Sequence, residues 1–176
     1  MPGDEKPPPA YNPPAPVPQA GSAIGMNLIA PLVTPDTTLL DIDFTSKKKL
    51  FEHAADLFAR THDLKAADIF TSLFERERLG STALGCGIAI PHGRIKGLKD
   101  AQGAFYRLGT PLDFDAPDNQ PVSLCFILLV PKDANERHLQ ILGELAQLFG
   151  DETMRGKLMK LANPAEFIAL LGAWSG

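Results

Sequence analysis

The sequence predicts a single α/β domain, a sandwich in which one central mixed β-sheet is covered by helices on both faces. Segments with helical spacing precede and follow the strand-like segments, so helices are available for both faces of the sheet. The run from Val122 to Val130 is apolar throughout, as is typical of a central strand that is buried on both faces. The chain has 176 residues, of which 44% are hydrophobic and 22% charged, and this suits one globular domain.

The N-terminal segment differs in composition from the rest of the chain. Eight of the 16 prolines lie between Pro2 and Pro18, where large apolar side chains are almost absent. Such a segment cannot bury enough surface to offset the entropy lost on ordering, so we expect residues 1–25 to form a disordered tail. The alternative is a ligand for a proline-reading domain. The folded domain is predicted to span residues 26–174.

Two helices are predicted before the first strand. The apolar residues of the first helix follow helical spacing and are Leu50, Ala54, Leu57 and Phe58. Ser46 is a suitable N-cap for this helix. The three lysines at 47–49 lie in its first turn and form either a solvated face or a docking edge. The second helix should run from about Lys65 to Arg78 and end at Gly80.

Three strands are predicted in the middle of the chain. The apolar triplet Ile88 to Ile90 interrupts a glycine-rich stretch and should be a short buried strand that ends at a proline. Ala101 to Leu108 and Val122 to Val130 are the other two strands. The segment Pro111 to Pro121 between them has the Asp, Asn and Pro residues of a loop.

Three further helices are predicted at the C-terminal end. The first should start at Asp133, with Glu136 in the capping-box position. Asp151 should begin the second. The last helix has an N-cap, a first-turn proline and a capping-box partner in Asn163, Pro164 and Glu166.

Composition and cysteine content exclude several classes of protein. The formal net charge of -4 does not favour a broad nucleic-acid surface. Membrane insertion needs roughly 18 consecutive apolar residues, and no such run occurs. No basic segment followed by an apolar one marks a secretory signal. Cys86 and Cys125 are too few and too isolated for a disulfide framework or a zinc site. We therefore expect a cytoplasmic protein.

Of the four histidines, His92 is the candidate for chemistry. It lies between Pro91 and Gly93 at the end of a predicted buried strand, where the proline stiffens the chain. Gly93 has no Cβ, so the backbone of another protein could approach the imidazole. A neutral imidazole nitrogen is available near neutral pH because the ordinary pKa of histidine is about 6.5. His53 and His62 lie among polar residues and are expected to be exposed and structural.

The surroundings of His92 carry a longer pattern. Between Phe74 and Ile95 the chain contains five short motifs in a fixed order. They are the pair Arg76-Glu77, the turn Gly80-Ser81-Thr82, the spaced glycines Gly85 and Gly87, the pair Ile88-Ala89, and Pro91-His92-Gly93. This string resembles the phosphorylation-site signature of the mannitol/fructose-type IIA domains of the bacterial phosphotransferase system. The resemblance continues through the Asp113 to Ala116 segment and the His138-Leu139 pair. It covers the chain from about Met26 to Leu171.

The resemblance implies a role for each of these residues. Within the family, the single-domain regulatory member associated with nitrogen metabolism looks closest, because neither a IIB nor a membrane IIC domain is present in the chain. By resemblance, His92 is the phosphorylated histidine, His138 the second active-site histidine and Arg76 the active-site arginine. The implied phosphoryl donor is an HPr-like carrier protein. The implied targets are regulatory, such as sensor kinases or potassium transport proteins, and no cofactor is implied.

Phosphoryl transfer explains why residues of these types are needed. A phosphoryl group on nitrogen adds about two negative charges, which require fixed positive partners. Arg76 offers a planar fork that can pair bidentately with phosphoryl oxygens. His138 could donate a hydrogen bond to the phosphoryl group or orient His92. Ser81 and Thr82 could either donate their hydroxyls to the phosphoryl group or cap the turn. No Gly-Lys-Ser/Thr ending is present, so nucleotide binding is not expected.

Three other functions remain open at this point. The chain could be a sugar-specific IIA component that passes its phosphoryl group to a separate IIB protein. It could also be a regulatory binding protein that no longer transfers phosphate. The third is a metal-dependent hydrolase with His92 and His138 as ligands and a third ligand among Asp113, Asp115 and Asp118, although no known metal spacing links them.

Overall fold

The computed structural model describes residues 27–133 and 136–176, and the predicted N-terminal tail lies outside them. The described part contains six strands and five α-helices. In chain order these are β1 (Thr38–Ile42), α1 (Lys47–Thr61), α2 (Ala66–Leu79), β2 (Ala83–Gly85), β3 (Ile88–Ala89), β4 (His92–Ile95), β5 (Gln102–Leu112), β6 (Val122–Pro131), α3 (Glu136–Gly150), α4 (Glu152–Met159) and α5 (Pro164–Ala173). No helix of the described part is both long enough and apolar enough to cross a membrane.

The six strands form one mixed sheet with β6 at its centre. The strand order is β1-β5-β6-β3-β2, and β4 also pairs with β6. The β1–β5, β3–β6 and β4–β6 pairs are parallel, and β5–β6 and β2–β3 are antiparallel. The apolar run that begins at Val122 is therefore the central strand, as predicted. Strand β5 is longer than expected, since it continues to Leu112.

Strands β1 and β2 were not predicted. Strand β1 is irregular, because Asp41 has a positive φ of 58° and the register with β5 shifts between Leu40 and Ile42. Strand β2 has only three residues and ends at Gly85, which also has a positive φ. Neither segment shows the regular alternation or the apolar run by which strands are recognised in a sequence.

Two hydrophobic cores lie on opposite faces of the sheet, which confirms the predicted sandwich. Side chains of β6 alternate between them, with Cys125, Ile127 and Leu129 in one and Leu124, Phe126, Leu128 and Val130 in the other. Helices α1 and α2 cover the first core, and α3, α4 and α5 cover the second. The two layers are needed because β6 is apolar on both faces.

Most of the predicted helix ends are confirmed. The Ser46 side chain accepts a hydrogen bond from the Lys49 N–H, and Asp151 and Asn163 cap α4 and α5 in the same way. Gly80 ends α2 as expected. Helix α3 is described from Glu136 onward, and residues 134–135 lie outside the described part, so the cap at Asp133 remains a prediction.

Strands β3 and β4 are two parts of one interrupted strand beside β6. Ile88 and Ala89 pair with Leu124 and Cys125, and His92 then pairs with Leu128 in the same register. The predicted strand over Ile88 to Ile90 is thus one residue too long, and His92 does not follow a strand but opens one. The interruption falls at Ile90-Pro91, because proline lacks the N–H that a continuous ladder would require.

A buried arginine connects the sheet to α4. Arg107 of β5 forms two hydrogen bonds with the Asp41 carboxylate, of 3.0 and 2.8 Å. Its Nη1 also donates to the carbonyl oxygens of Leu158, Met159 and Leu161 at 3.2, 3.3 and 2.7 Å. The Leu158 and Met159 carbonyls belong to the last turn of α4, where helix acceptors lack partners within the helix, and Leu161 follows two residues later. Arg107 therefore anchors that end of α4 to the sheet.

Candidate active site

His92 is half-buried at the point where the interrupted strand resumes. Its Cα is paired with that of Leu128 on the central strand, and the preceding Pro91 carbonyl accepts a hydrogen bond of 2.9 Å from the Leu128 N–H. The backbone on both sides of the ring is therefore fixed to the most buried strand of the sheet. This gives His92 the rigid support that the sequence predicted for it.

The orientation of the imidazole is set by a backbone carbonyl. Nδ1 of His92 lies 2.9 Å from the Ile90 carbonyl oxygen. A carbonyl oxygen can only accept, so Nδ1 donates and must hold the proton of the neutral ring. Nε2 then has the free lone pair. The ring is thus held in the tautomer in which Nε2 is the nucleophile.

The charge state of His92 also favours nucleophilic attack. Burial lowers the pKa of His92, and the positive charges of Arg76 and His138 lower it further, whereas the Ile90 hydrogen bond and the Glu77 carboxylate raise it. The net direction is downward from the usual value of 6.5. The ring is therefore mostly neutral at pH 7, and a neutral ring is the form that can attack.

Arg76 lies in the same cleft as His92. This cleft has a volume of about 220 Å³ and is lined by Arg76, Ser81, Thr82, Ala83, Leu84, Ile90, His92, Leu142 and Ala146. Nη1 of Arg76 donates a hydrogen bond of 2.8 Å to the Gly80 carbonyl oxygen. This bond ties the guanidinium to the turn after α2 and leaves its other N–H groups to act as donors toward an anion in the cleft.

His138 lies near the start of α3 and interacts electrostatically with His92. Its charge lowers the pKa of His92, so the two rings are close enough to interact. The Nδ1 atom of His138 is buried and has no hydrogen-bond partner among the described residues. Buried polar atoms usually have a partner, and the deficit is consistent with a group that acquires one from a bound ligand.

The hydroxyls of Ser81 and Thr82 are already engaged within the chain. Ser81 donates to the Phe114 carbonyl oxygen and accepts from the Ala83 N–H at 3.1 Å. Thr82 is buried, and its hydroxyl donates to the Glu77 carboxylate at 2.5 Å. Of the two roles considered for these residues, this geometry favours fixing the turn over contacting a phosphoryl group.

Gly93 permits a close approach, but from within the chain. A Cβ built on Gly93 would lie 2.5 Å from Oγ of Ser72 in α2 and 3.1 Å from its Cβ. Gly93 is itself buried. The missing side chain therefore lets α2 pack against β4, which corrects the expectation that it opens His92 to another protein.

Sequence analysis named Glu77 and Lys47 but missed the pair that they form. The Glu77 side chain is only 5% exposed and lies 3.2 Å from Nζ of Lys47. Ile69, Leu73 and Glu77 are the buried residues of α2 and follow each other at intervals of four. A carboxylate on the apolar face of a helix needs a partner, and this spacing was the signal that could have revealed Glu77.

His53 and His62 were expected to be exposed and structural, but both are half-buried. His53 is not exposed as predicted, because it is half-buried, with its Nδ1 2.9 Å from the hydroxyl of the fully buried Tyr106. Its pKa is lowered, mainly by this burial. His62 packs against Phe58, and its Nδ1 contacts the Thr61 carbonyl at the exit of α1. Both rings thus have structural contacts.

The structure does not favour the metal-dependent hydrolase. Among the described residues, no group of three or more His, Cys, Asp or Glu side chains is placed to hold a metal ion. Asp115 pairs with Lys47, and Asp118 accepts from the backbone N–H groups of Cys86 and Gln120. These carboxylates stabilise loops and are not directed at His92.

The sheet, its two helical layers and the His92 cleft define a single-domain IIA-type protein. Residues 31–173 match the family described as the phosphoenolpyruvate-dependent sugar phosphotransferase system, EIIA 2, and the chain belongs to this family.

The relatives of the chain include regulatory proteins. A nitrogen regulatory protein of Pseudomonas aeruginosa is 42% identical over 128 residues, which cover 72% of this chain and 83% of that protein. The crystal structure of the nitrogen regulatory protein IIA-Ntr from Neisseria meningitidis has a TM-score of 0.79 and 48% identity, and the match covers 82% of this chain and 99% of that one. The crystal structure of IIA mannitol from Escherichia coli has a TM-score of 0.67 and 21% identity, covering 79% and 98% of the two chains, and supports the fold alone.

Proposed function

We propose that the chain is a phosphocarrier that accepts a phosphoryl group from a phosphorylated HPr-like protein onto Nε2 of His92. The observation that carries this proposal is the hydrogen bond between Nδ1 of His92 and the Ile90 carbonyl oxygen. It leaves Nε2 unprotonated at a rigid strand start, in a cleft that also contains the Arg76 guanidinium. The family of the chain and its nitrogen regulatory relatives support the same function.

The reaction is an in-line exchange between two imidazoles. The Nε2 lone pair of His92 forms a bond to phosphorus while the phosphorus–nitrogen bond to the donor histidine breaks, and its electron pair returns to the donor ring. No proton needs to move when the donor ring is protonated on its other nitrogen, because the donor then leaves as a neutral imidazole, and Nδ1 of His92 keeps its hydrogen while this ring takes over the positive charge. Transfer of this kind has a loose transition state, so positioning and charge neutralisation supply most of the acceleration. In this proposal Arg76 and His138 supply positive charge and hydrogen-bond donors to the phosphoryl oxygens.

Exposed apolar side chains near the proposed site favour a protein as the donor. Leu84 lines the cleft with His92 and is 51% exposed. Leu79 follows Arg76 by three residues and is 87% exposed, and Leu139 follows His138 and is 63% exposed. Apolar side chains around a polar reaction centre are typical of a protein-binding surface.

We further propose a regulatory role of the nitrogen type in the cytoplasm. The phosphorylated and free forms would differ by about two negative charges beside His92, and partner proteins could read this difference. The proposed partners are regulatory targets such as sensor kinases or potassium transport proteins. The relatives named nitrogen regulatory proteins support this role over a sugar-specific one.

Phosphorylation of purified protein tests the proposal. Wild type, His92→Ala and the control His62→Ala are incubated with phosphoenolpyruvate, the first enzyme of the system and its HPr-like carrier, and intact masses are recorded. We expect one acid-labile phosphoryl group on wild type and His62→Ala, and none on His92→Ala. Equal labelling of His92→Ala would place the reactive group elsewhere. Absence of label on wild type would instead favour a regulator that acts by contact alone.

The role of Arg76 is tested by rate and stability together. Arg76→Ala should slow transfer on the order of 10²-fold or more, because a donor to the transferring group is lost. Its thermal unfolding should match that of wild type, since Arg76 is only partly buried and its guanidinium donates to the carbonyl of the exposed Gly80. A loss of stability in proportion to the loss of rate would make Arg76 a structural residue.

A further inference from the structure

A chain of hydrogen bonds leads from the buried carboxylate of Glu77 to the imidazole of His92. The Thr82 hydroxyl donates to Oε2 of Glu77 at 2.5 Å. The Thr82 N–H lies 3.1 Å from the same oxygen and 3.3 Å from Oε1. The Thr82 carbonyl accepts from the Ile90 N–H at 3.0 Å. The Ile90 carbonyl in turn accepts from Nδ1 of His92 at 2.9 Å. The backbone that holds the ring is thus itself held by Glu77.

Lys47 fixes Glu77 from the opposite side. Its Nζ lies 3.2 Å from Oε1 of Glu77 and 3.1 Å from Oδ2 of Asp115, and 5.4 Å from the centre of the Phe114 ring. Lys47 is 24% exposed in its side chain, and Glu77 only 5%. A carboxylate at that depth is retained only when it is paired and hydrogen-bonded, and Lys47 supplies the pairing charge.

We propose that Glu77 and Lys47 form a positioning pair for His92, in which Glu77 holds the Thr82–Ile90 backbone that orients the ring and Lys47 neutralises Glu77. This inference rests on the proposed function, because the positioning of His92 matters for catalysis only if His92 accepts the phosphoryl group. Neither residue is a catalytic residue, since both act on His92 through Thr82 and Ile90.

The Glu77–Lys47 pair also places a positive charge beside a carboxylate that would otherwise repel the phosphoryl group. Glu77 is close enough to His92 for its charge to influence the ring, together with Arg76 from α2 and His138 from α3. An unpaired carboxylate there would repel an incoming phosphoryl group. With Lys47 beside it, Glu77 can anchor the turn while the net field remains favourable to the phosphoryl dianion.

The test compares two charge-removing variants of similar shape with a matched control. Glu77→Gln removes the negative charge, and Lys47→Met removes the positive charge while keeping an apolar stem over Phe114. Lys49→Met is the control, because Lys49 lies in the same helical turn but pairs with Glu52 at 3.0 Å on the surface. The tautomer and pKa of His92 are read from ring nitrogen and proton NMR spectra, and transfer from the phosphorylated HPr-like carrier is timed separately.

The two variants should move the pKa of His92 in opposite directions. Glu77→Gln should lower it and Lys47→Met should raise it, each on the order of half a pH unit as expected for a charge acting through partly screened protein. Transfer should slow by about 10-fold in both, because small displacements of an attacking atom are costly. Lys49→Met should match wild type in pKa and rate.

Pure loss of packing would not give pKa shifts of opposite sign, so shifts of the same sign, or none, would overturn the proposal. Wild-type transfer rates in both variants would overturn it as well. If wild type accepts no phosphoryl group but the opposite shifts are seen, the positioning pair stands and the proposed function fails. All three substitutions change a side chain without introducing glycine or proline, and thermal unfolding verifies that each variant is folded before it is compared.

Discussion

Replacement of Gly93 by alanine tests how the two supports of the site are fitted together. Gly93 follows His92 on β4, and Ser72 lies on α2, the helix that also carries Arg76. An added Cβ would stand 2.5 Å from Oγ of Ser72, 3.1 Å from its Cβ and 3.3 Å from its carbonyl carbon. The first contact is shorter than any allowed van der Waals distance, so part of the structure must move.

The expected cost of Gly93→Ala follows from these three contacts. Rotation of the Ser72 hydroxyl relieves the shortest one but breaks its 3.0 Å hydrogen bond to the Arg94 carbonyl oxygen, at about 1 kcal/mol. The remaining contacts require α2 to shift by a few tenths of an ångström, and overpacking of this kind adds about 1 kcal/mol or more. We expect a total loss of about 2 kcal/mol, or roughly 4–8 °C in Tm for a domain of about 150 residues.

A double-mutant cycle assigns this cost to the contact itself. Ser72→Gly removes the opposing side chain and alone should cost about 1–2 kcal/mol, for the lost hydrogen bond and the helical glycine. Urea unfolding of both single variants and the double variant should show a favourable coupling of about 1 kcal/mol or more. Additive effects, or a Gly93→Ala variant as stable as wild type, would refute the packing argument and return Gly93 to the role of a docking position.

Three further predictions concern stability and reactivity. Burial lowers the pKa of His92 in the folded protein, so as the pH falls the unfolded chain binds a proton at His92 before the folded chain does. Wild type should therefore lose more stability than His92→Gln between about pH 7.5 and pH 5. Equal losses of stability in the two proteins, measured by urea unfolding, would contradict this prediction. Arg107→Met should lower the free energy of unfolding by about 3 kcal/mol, since two buried carbonyls and a third, partly buried one lose their donor. A loss below about 1 kcal/mol in thermal unfolding would show that water replaces the guanidinium as donor. Cys125 is fully buried and its thiol pKa is raised by burial, so a thiol reagent should modify only Cys86 in the native protein and both after denaturation; rapid reaction of two thiols in the native state would disprove the burial.

The fold could be predicted from the sequence wherever one segment carries its own signal. The apolar run of β6, the helical spacing of α1 and the Asn163-Pro164 start of α5 are local patterns, and each is confirmed. Strand β1 could not be found, because its Asp41 adopts a left-handed conformation that is stabilised by Arg107, 66 positions away in the chain. A contact over that distance leaves no local pattern.

The candidate site shows the same division. His92, Arg76 and His138 were predicted through a motif, and the structure gives the first two a common cleft and the third an electrostatic influence on His92. The roles of Glu77 and Lys47 depend on partners in other elements, and the packing of Gly93 depends on Ser72. Residue type alone does not distinguish a glycine that opens a surface from one that closes a helix against a strand.

The irregular backbone at Ile90-Pro91 explains how one sheet can both support the His92 imidazole and fix its orientation. In an unbroken ladder each backbone carbonyl points toward the neighbouring strand, and none is free to turn back toward the side chain two residues later. Here the Ile90 N–H still donates to the Thr82 carbonyl and the Pro91 carbonyl still accepts from the Leu128 N–H. The Thr82 N–H, however, donates to Glu77, so the Ile90 oxygen accepts from the imidazole instead. A chain in which the Thr82 N–H bonded to the Ile90 oxygen would gain that backbone hydrogen bond and lose the fixed direction of its nucleophile. The irregularity is therefore the part of the sheet on which the chemistry depends.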